Sequence, residues 1–277
     1  RYWRDWSSDV CSSDLASSGF GRAAARALAA DGMHIIGVHL DRAAGVQQVD
    51  ELKAELTALG VRSLFFNVNA ADADRRSDVL KAVEEEFAQH PGSTIRLLLH
   101  SLAFGTLKPF IADTPGDAIS QKNLEMTLDV MANSLIYYVQ DVVRRGLMTN
   151  GGRVVGLTSA GATRVLPMYG AVSGAKAAME SYLRQLALEL APFGITANSI
   201  RAGVTYTPAL SKIPGSDVIM GNAYMRNPYH RLTTPEDVAN VLRLLVRDEA
   251  AWINGEILGV DGGEDAIDLT WWKPEQQ

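Results

Sequence analysis

Residues 16–40 read ASSGFGRAAARALAADGMHIIGVHL, and three signals in that order decide the fold. Gly19-Phe20-Gly21 opens a run with helical patterning from Gly21 to Ala30. Gly32 follows as a helix cap. Met33 to Leu40 is then a compact apolar run, the pattern of a strand buried on both faces.

The same alternation continues outward. Val46, Val49, Leu52, Leu56 and Leu59 stripe a helix that stops at Gly60. Val61 to Val68 reads as a strand, Asp72 to Gln89 as a helix and Thr94 to Leu99 as a strand. A long helical stretch runs from about Leu124 to Met148, followed by a strand at Arg153 to Thr158 and a helix at Gly170 to Ala191. A strand at Ile195 to Ile200, a helix at Pro235 to Arg247 and a strand at Glu256 to Val260 complete the series. Largely apolar strands alternating with helices predict an α/β fold with a parallel sheet covered on both faces. No linker or composition shift divides residues 16–277, so one domain is expected. Residues 204–231 break the rhythm with three prolines, further glycines and scattered apolar side chains, and read as a lid over a substrate.

Composition narrows the function. Hydrophobic residues make up 47% and charged residues 21%, ordinary for a globular chain of 277 residues. A net charge of −6 argues against nucleic acid or an anionic membrane as the main partner. No apolar run reaches the roughly 20 residues of a membrane span. Cys11 is the only cysteine, which excludes an internal disulfide and suits a reducing, cytoplasmic setting. No metal is expected.

The beginning is anomalous. Residues 1–15, RYWRDWSSDVCSSDL, carry a near-repeat and neither helical nor strand periodicity. They read as a non-native segment.

Residues Ser17-Ser18-Gly19-Phe20-Gly21-Arg22 precede a helix, where closely spaced glycines let backbone N–H groups face a pyrophosphate. This stretch resembles the cofactor loop of the short-chain dehydrogenases/reductases, Thr-Gly-x-x-x-Gly-x-Gly. That family places a strand and a Thr-Gly pair immediately before Ala16, whereas this chain has Asp14 and Leu15. The resemblance implies a single Rossmann-type doubly wound parallel sheet, a three-layer α/β/α arrangement, with its first strand replaced by residues 1–15.

A second stretch carries the chemistry. Ordinary members have a tyrosine four positions before the lysine, which here is Val172 before Lys176. The tyrosine instead stands at Tyr169, giving Tyr, six residues, Lys. That spacing resembles the enoyl-acyl-carrier-protein reductase branch, as do His100-Ser101-Leu102-Ala103-Phe104 and Ala202-Gly203. On a helix, three residues move the phenol by ~4.5 Å along the axis. Such a shift suits an enoyl thioester, whose charge develops on a carbonyl oxygen remote from the carbon that accepts hydride.

By resemblance Tyr169, Lys176 and Ser159 are catalytic, with the charge of Lys176 favouring phenolate character in Tyr169, and His100 is structural. The cofactor, NADH or NADPH, would be held by Ser18, Gly19, Phe20, Gly21, Asn67, Val68, Ser101, Ala103, Lys176, Gly203, Thr205 and Thr207. Asp41 would bond a ribose hydroxyl and Arg42 a 2′-phosphate, so the choice between the two cofactors stays open. The substrate would be a small molecule or a carrier-bound acyl group, and the family's homotetramers imply an interface at 257–272. Two other functions remain compatible with the residues: a carbonyl reductase or alcohol dehydrogenase with a displaced tyrosine, and a non-catalytic dinucleotide-binding protein.

Overall fold

The computed structural model describes residues 9–14, 19–41, 43–207, 210–213 and 215–267. Its centre is one seven-stranded sheet in which all pairings are parallel. The strands are β1 (Asp9–Asp14), β2 (His34–His39), β3 (Ser63–Asn67), β4 (Thr94–His100), β5 (Arg153–Ser159), β6 (Thr196–Ala202) and β7 (Ile257–Val260). Their spatial order is β3-β2-β1-β4-β5-β6-β7. Strand order reverses between β1 and β4, and such a switch point opens a crevice at the carboxyl ends of the strands.

The helices are α1 (Gly19–Ala30), α2 (Ala43–Ala58), α3 (Ala73–Gln89), α4 (Gln121–Leu128), α5 (Ser134–Arg144), α6 (Gly170–Glu189), α7 (Ser216–Arg226) and α8 (Pro235–Leu245). Two cores separated by the sheet result. One joins Ile36, Val38 and Leu98 to Leu135 and Val139 of α5 and to Met179 and Leu183 of α6. The other joins Ile35, Leu97, Leu99 and Val155 to Leu28 of α1, Leu52 and Leu56 of α2 and Leu242 of α8. Neighbouring residues of one strand thus face opposite cores, which is why the strands read as unbroken apolar runs.

Three expectations need correction. Residues before Ala16 were expected to supply no strand, yet β1 lies at the middle of the sheet, paired with β2 from Val10 to Asp14 and with β4 from Asp9 to Ser13. Periodicity could not reveal it. A segment this short, paired on both sides, is held by its backbone hydrogen bonds, and Val10 is buried against both neighbours. The helical stretch from Leu124 to Met148 is interrupted by a π-helical turn at Asp129–Asn133, where Ser134 Oγ donates back to the Val130 carbonyl. Residues 204–231 are not aperiodic throughout, for they contain α7. Of α7 only Ala223 is fully buried, so its apolar side chains make no clear stripe.

The rim opposite the crevice is locked by two buried arginines. Arg96 at the start of β4 donates through Nε and Nη2 to the Val246 carbonyl at 2.9 and 2.6 Å. Arg153 opening β5 donates to the Leu245 carbonyl at 3.0 Å. Cations thereby satisfy the last carbonyls of α8. Among the described residues no helix is long and apolar enough to cross a membrane. Arg96→Met, which strands the buried Val246 carbonyl, should cost about 2 kcal/mol of stability, read as a lower midpoint in urea unfolding.

Candidate active site

Because every strand runs the same way, the carboxyl ends bring His39, Asn67, His100, Ser159 and Ala202 to one rim. Helix α1 begins there at Gly19, whose φ of +53° is a backbone conformation glycine adopts without strain. A Cβ on Gly19 would lie 3.7 Å from Thr207 Cγ2, so the glycine turn and the start of the 204–231 segment face each other. Gly21 is buried behind it. These features fit a pyrophosphate at the N-terminus of α1. Phe20 packs against the core, leaving only its backbone for that task. Ser18 and Arg42 lie outside the described residues.

At the next rim position Asp41 turns its carboxylate back, with Oδ2 2.9 Å from His39 Nδ1. The Asn67 amide fastens the Asp41 backbone twice, accepting from its N–H and donating to its carbonyl, both at 3.0 Å. Asn67 is therefore the brace of the Asp41 turn. The Val68 N–H donates to the His39 carbonyl at 2.8 Å, extending that brace. Ser101 is buried and Ala103 exposed after β4. Gly203 is fixed by packing, since a Cβ there would fall 2.3 Å from Thr233 Oγ1 and 2.9 Å from Asp261 Cα. Thr205 Oγ1 donates to the Gly203 carbonyl at 3.0 Å, and Thr207 Oγ1 accepts from the Leu210 N–H at 3.1 Å. Both threonine side chains thus shape their own loop.

The residues expected to be reactive lie between β5 and α6. Met168 has a φ of +60°, and Tyr169 follows at φ −92°, ψ 0° as the N-cap of α6. A non-glycine residue in the left-handed region costs about 1–3 kcal/mol and signals a turn held by its surroundings. Here the turn leads the Tyr169 ring over Gly161. A Cβ on Gly161 would meet Tyr169 Cε1 at 2.5 Å and Ser159 Oγ at 3.3 Å, so serine and tyrosine converge on one glycine. Burial raises the Tyr169 pKa above the usual phenol range, and the Ser159 hydroxyl offsets part of the rise. Ser159 Oγ itself is buried with no fully formed hydrogen bond among the described residues, an acceptor and donor held in reserve. Val172, at the ordinary tyrosine position, is buried with Met131 and Ala175 and offers no proton.

Lys176 is buried one helical turn beyond Val172 and donates to the Leu157 carbonyl at 2.6 Å and the Leu102 carbonyl at 3.2 Å. An ammonium has three protons, so these bonds leave one for a ligand. Desolvation pushes its pKa down to about 8, opposed by Glu180. The influences on Tyr169 are burial and Ser159, not the charge of Lys176 that the sequence suggested. His100 is pushed down to about 3 by burial and by Lys176, and is neutral at physiological pH. Since Ser134 gives its proton to Val130, the 2.9 Å contact has His100 Nε2 donating to Ser134 Oγ. That is a structural role. Among the described residues no cluster of His, Cys, Asp and Glu could hold a metal.

Sequence reasoning missed Thr158 and Glu180, joined by a buried 2.6 Å hydrogen bond. The available signal was the four-residue interval from Lys176 to Glu180. A concavity of about 430 Å³ beside β7, lined by Asn227, Tyr229, Arg231 and Asp261 among others, contains none of the expected site residues.

A family model described as Enoyl-(Acyl carrier protein) reductase matches residues 15–264. An NADPH-dependent aldehyde reductase-like chloroplastic protein of Arabidopsis thaliana is 28% identical, covering 89% of this chain and 90% of its own. The crystal structure of an enoyl-(acyl-carrier-protein) reductase from Anaplasma phagocytophilum in complex with NAD superposes with a TM-score of 0.78 at 25% identity, covering 94% of this chain and 93% of its own. A short chain dehydrogenase from Burkholderia cenocepacia in complex with NADP gives 0.78 at 26% identity, over 95% and 100% of the two chains.

Removing the hydroxyl beside the phenol has a defined sign. Ser159→Ala should raise the Tyr169 pKa further, because burial remains and its counterweight is gone. Ultraviolet difference titration of parent and variant, each against Tyr169→Phe, would register an unchanged or lower value as failure.

Proposed function

The chain belongs to the short-chain dehydrogenase/reductase family, in the group that contains the enoyl-(acyl carrier protein) reductases, and from that membership we propose that it reduces the C=C bond of an enoyl thioester with NADH or NADPH. The observation that carries the reading is Tyr169 converging with Ser159 while Val172 is sealed in an apolar cluster. The phenol available here is the displaced one. It suits a carbonyl oxygen three bonds from the carbon that accepts hydride.

The nicotinamide, when bound, supplies the hydride. Gly19 and Gly21 at the start of α1 would receive the pyrophosphate, and the free Lys176 proton would bond a ribose hydroxyl. Tyr169 would donate a hydrogen bond to the forming enolate oxygen. Its raised pKa keeps that proton on the phenol at neutral pH, as a donor requires. Ser159 would hold the tyrosine or the thioester oxygen. Phe110 lies against Gly170, next to Tyr169, and Phe104 and Ile111 of the same loop are exposed. Together they offer an apolar wall to an acyl chain. Residues 204–231 would close over it, α7 forming the body of that lid.

Carbonyl reduction is the second reading, favoured by the aldehyde reductase-like relative. We further propose a cytoplasmic homotetramer with an interface in 257–272, of which 268–272 lie outside the described residues. We also propose that residues 1–15 stand in place of the family's Thr-Gly-containing first strand. The absence of a Thr-Gly pair before Ala16, where Asp14 and Leu15 stand, supports this.

Crotonyl thioester should consume NADH or NADPH, and Tyr169→Phe should lower kcat by at least about a hundredfold. Oxidation of cofactor by ketones or aldehydes alone would replace this reading with the second one. A chain carrying a Thr-Gly first strand should bind cofactor more tightly than the present one; equal binding would show residues 1–15 to be an adequate substitute.

A further inference from the structure

Three consecutive residues at the carboxyl end of β5 each meet a polar group on α6. The Leu157 carbonyl accepts from Lys176, the Thr158 hydroxyl donates to Glu180, and Ser159 stands by Tyr169. Two of these pairs belong to the reaction read above. The middle one is unassigned, and it consists of a carboxyl group 7% exposed inside a helix–sheet contact. Acidic side chains are rarely buried without a charge to balance. Glu180 is four residues beyond Lys176, hence one turn away on the same face of α6.

We propose that Glu180 is a positioning residue, anchored by Thr158, whose charge keeps the Lys176 ammonium protonated and directed at the carbonyls of Leu157 and Leu102. The proposal rests on reading Lys176 as the ribose anchor. Other groups near the lysine do not supply that charge. His100 from β4 is neutral, and Tyr169 at the start of α6 keeps its proton at physiological pH. Burial alone depresses the lysine, and Glu180 is what works against it. A lysine left without that support sheds its proton nearer neutrality. It then offers the ribose a weaker donor and the strand carbonyls a poorer tie.

The test is cofactor binding as a function of pH, followed by fluorescence with NADH and NADPH, so that no substrate is needed. The parent should lose affinity as pH rises through about 8. In Glu180→Gln the loss should begin about one pH unit lower. Affinity near pH 6 should stay within about twofold of the parent, because Lys176 is still protonated there. Glu180→Asp should restore most of the parent profile. Thermal unfolding checks each fold, and if Glu180→Gln does not fold, Thr158→Val reads the same limb with a smaller downward shift expected. A folded variant whose basic limb stays in place overturns the proposal, as does a uniform loss of affinity at every pH. If the parent binds neither nucleotide, the ribose-anchor reading falls and this inference with it.

Discussion

The contact between the end of β5 and the first turns of α6 is the constraint on which the site depends. Leu157, Thr158 and Ser159 leave the strand in succession, and each engages a different polar group of the helix. The helix is fixed in rotation and depth by these polar ties on one side and by Met179 and Leu183 packing under Gly156 on the other. The ring of Tyr169 is therefore placed against the sheet end at Gly161 as well as by its own left-handed turn at Met168.

The two rims of the sheet have different tasks. At the amino ends of β4 and β5, Arg96 and Arg153 are buried and donate to the carbonyls that end α8, with Asp248 and the Gly151 and Gly152 carbonyls as further partners. At the carboxyl ends the polar groups are incompletely satisfied: Ser159 Oγ and His100 Nδ1 are buried without hydrogen-bond partners among the described residues. Unsatisfied buried polar atoms cost free energy, and they concentrate where a ligand supplies the missing bond. Thr196 Oγ1 at the amino end of β6 is also unpaired among the described residues, so it is the switch in strand order between β1 and β4 that marks the crevice end.

Burial also sorts the titratable groups. Desolvation opposes charge, so it leaves His100 neutral, keeps the Tyr169 proton in place and pulls Lys176 down toward physiological pH. Lys176 is the group in this trio whose proposed ribose contact needs its charge. Glu180 is buried beside it.

Much of this was legible in the chain itself. Gly32, Gly60 and the apolar runs located helices and strands because capping and burial act within a few residues. The parallel sheet followed from their alternation. Tyr169, Lys176 and Ser159 were legible as candidates through the resemblance in their spacing, and the fold brings Tyr169 and Ser159 together at Gly161. What the sequence could not carry was any feature created by partners far apart along the chain. Strand β1 exists through pairing with β2 and β4, and its own six residues show no strand pattern. The turning of Asp41 toward His39, its bracing by Asn67, and the packing that commits Gly203 to Thr233 and Asp261 belong to the same class. So does Glu180, an ordinary helical acid until the fold brings Thr158 against it. Local chemistry is written residue by residue, whereas burial and long-range pairing are properties of the closed structure, and they decide which of the candidate side chains are free to act.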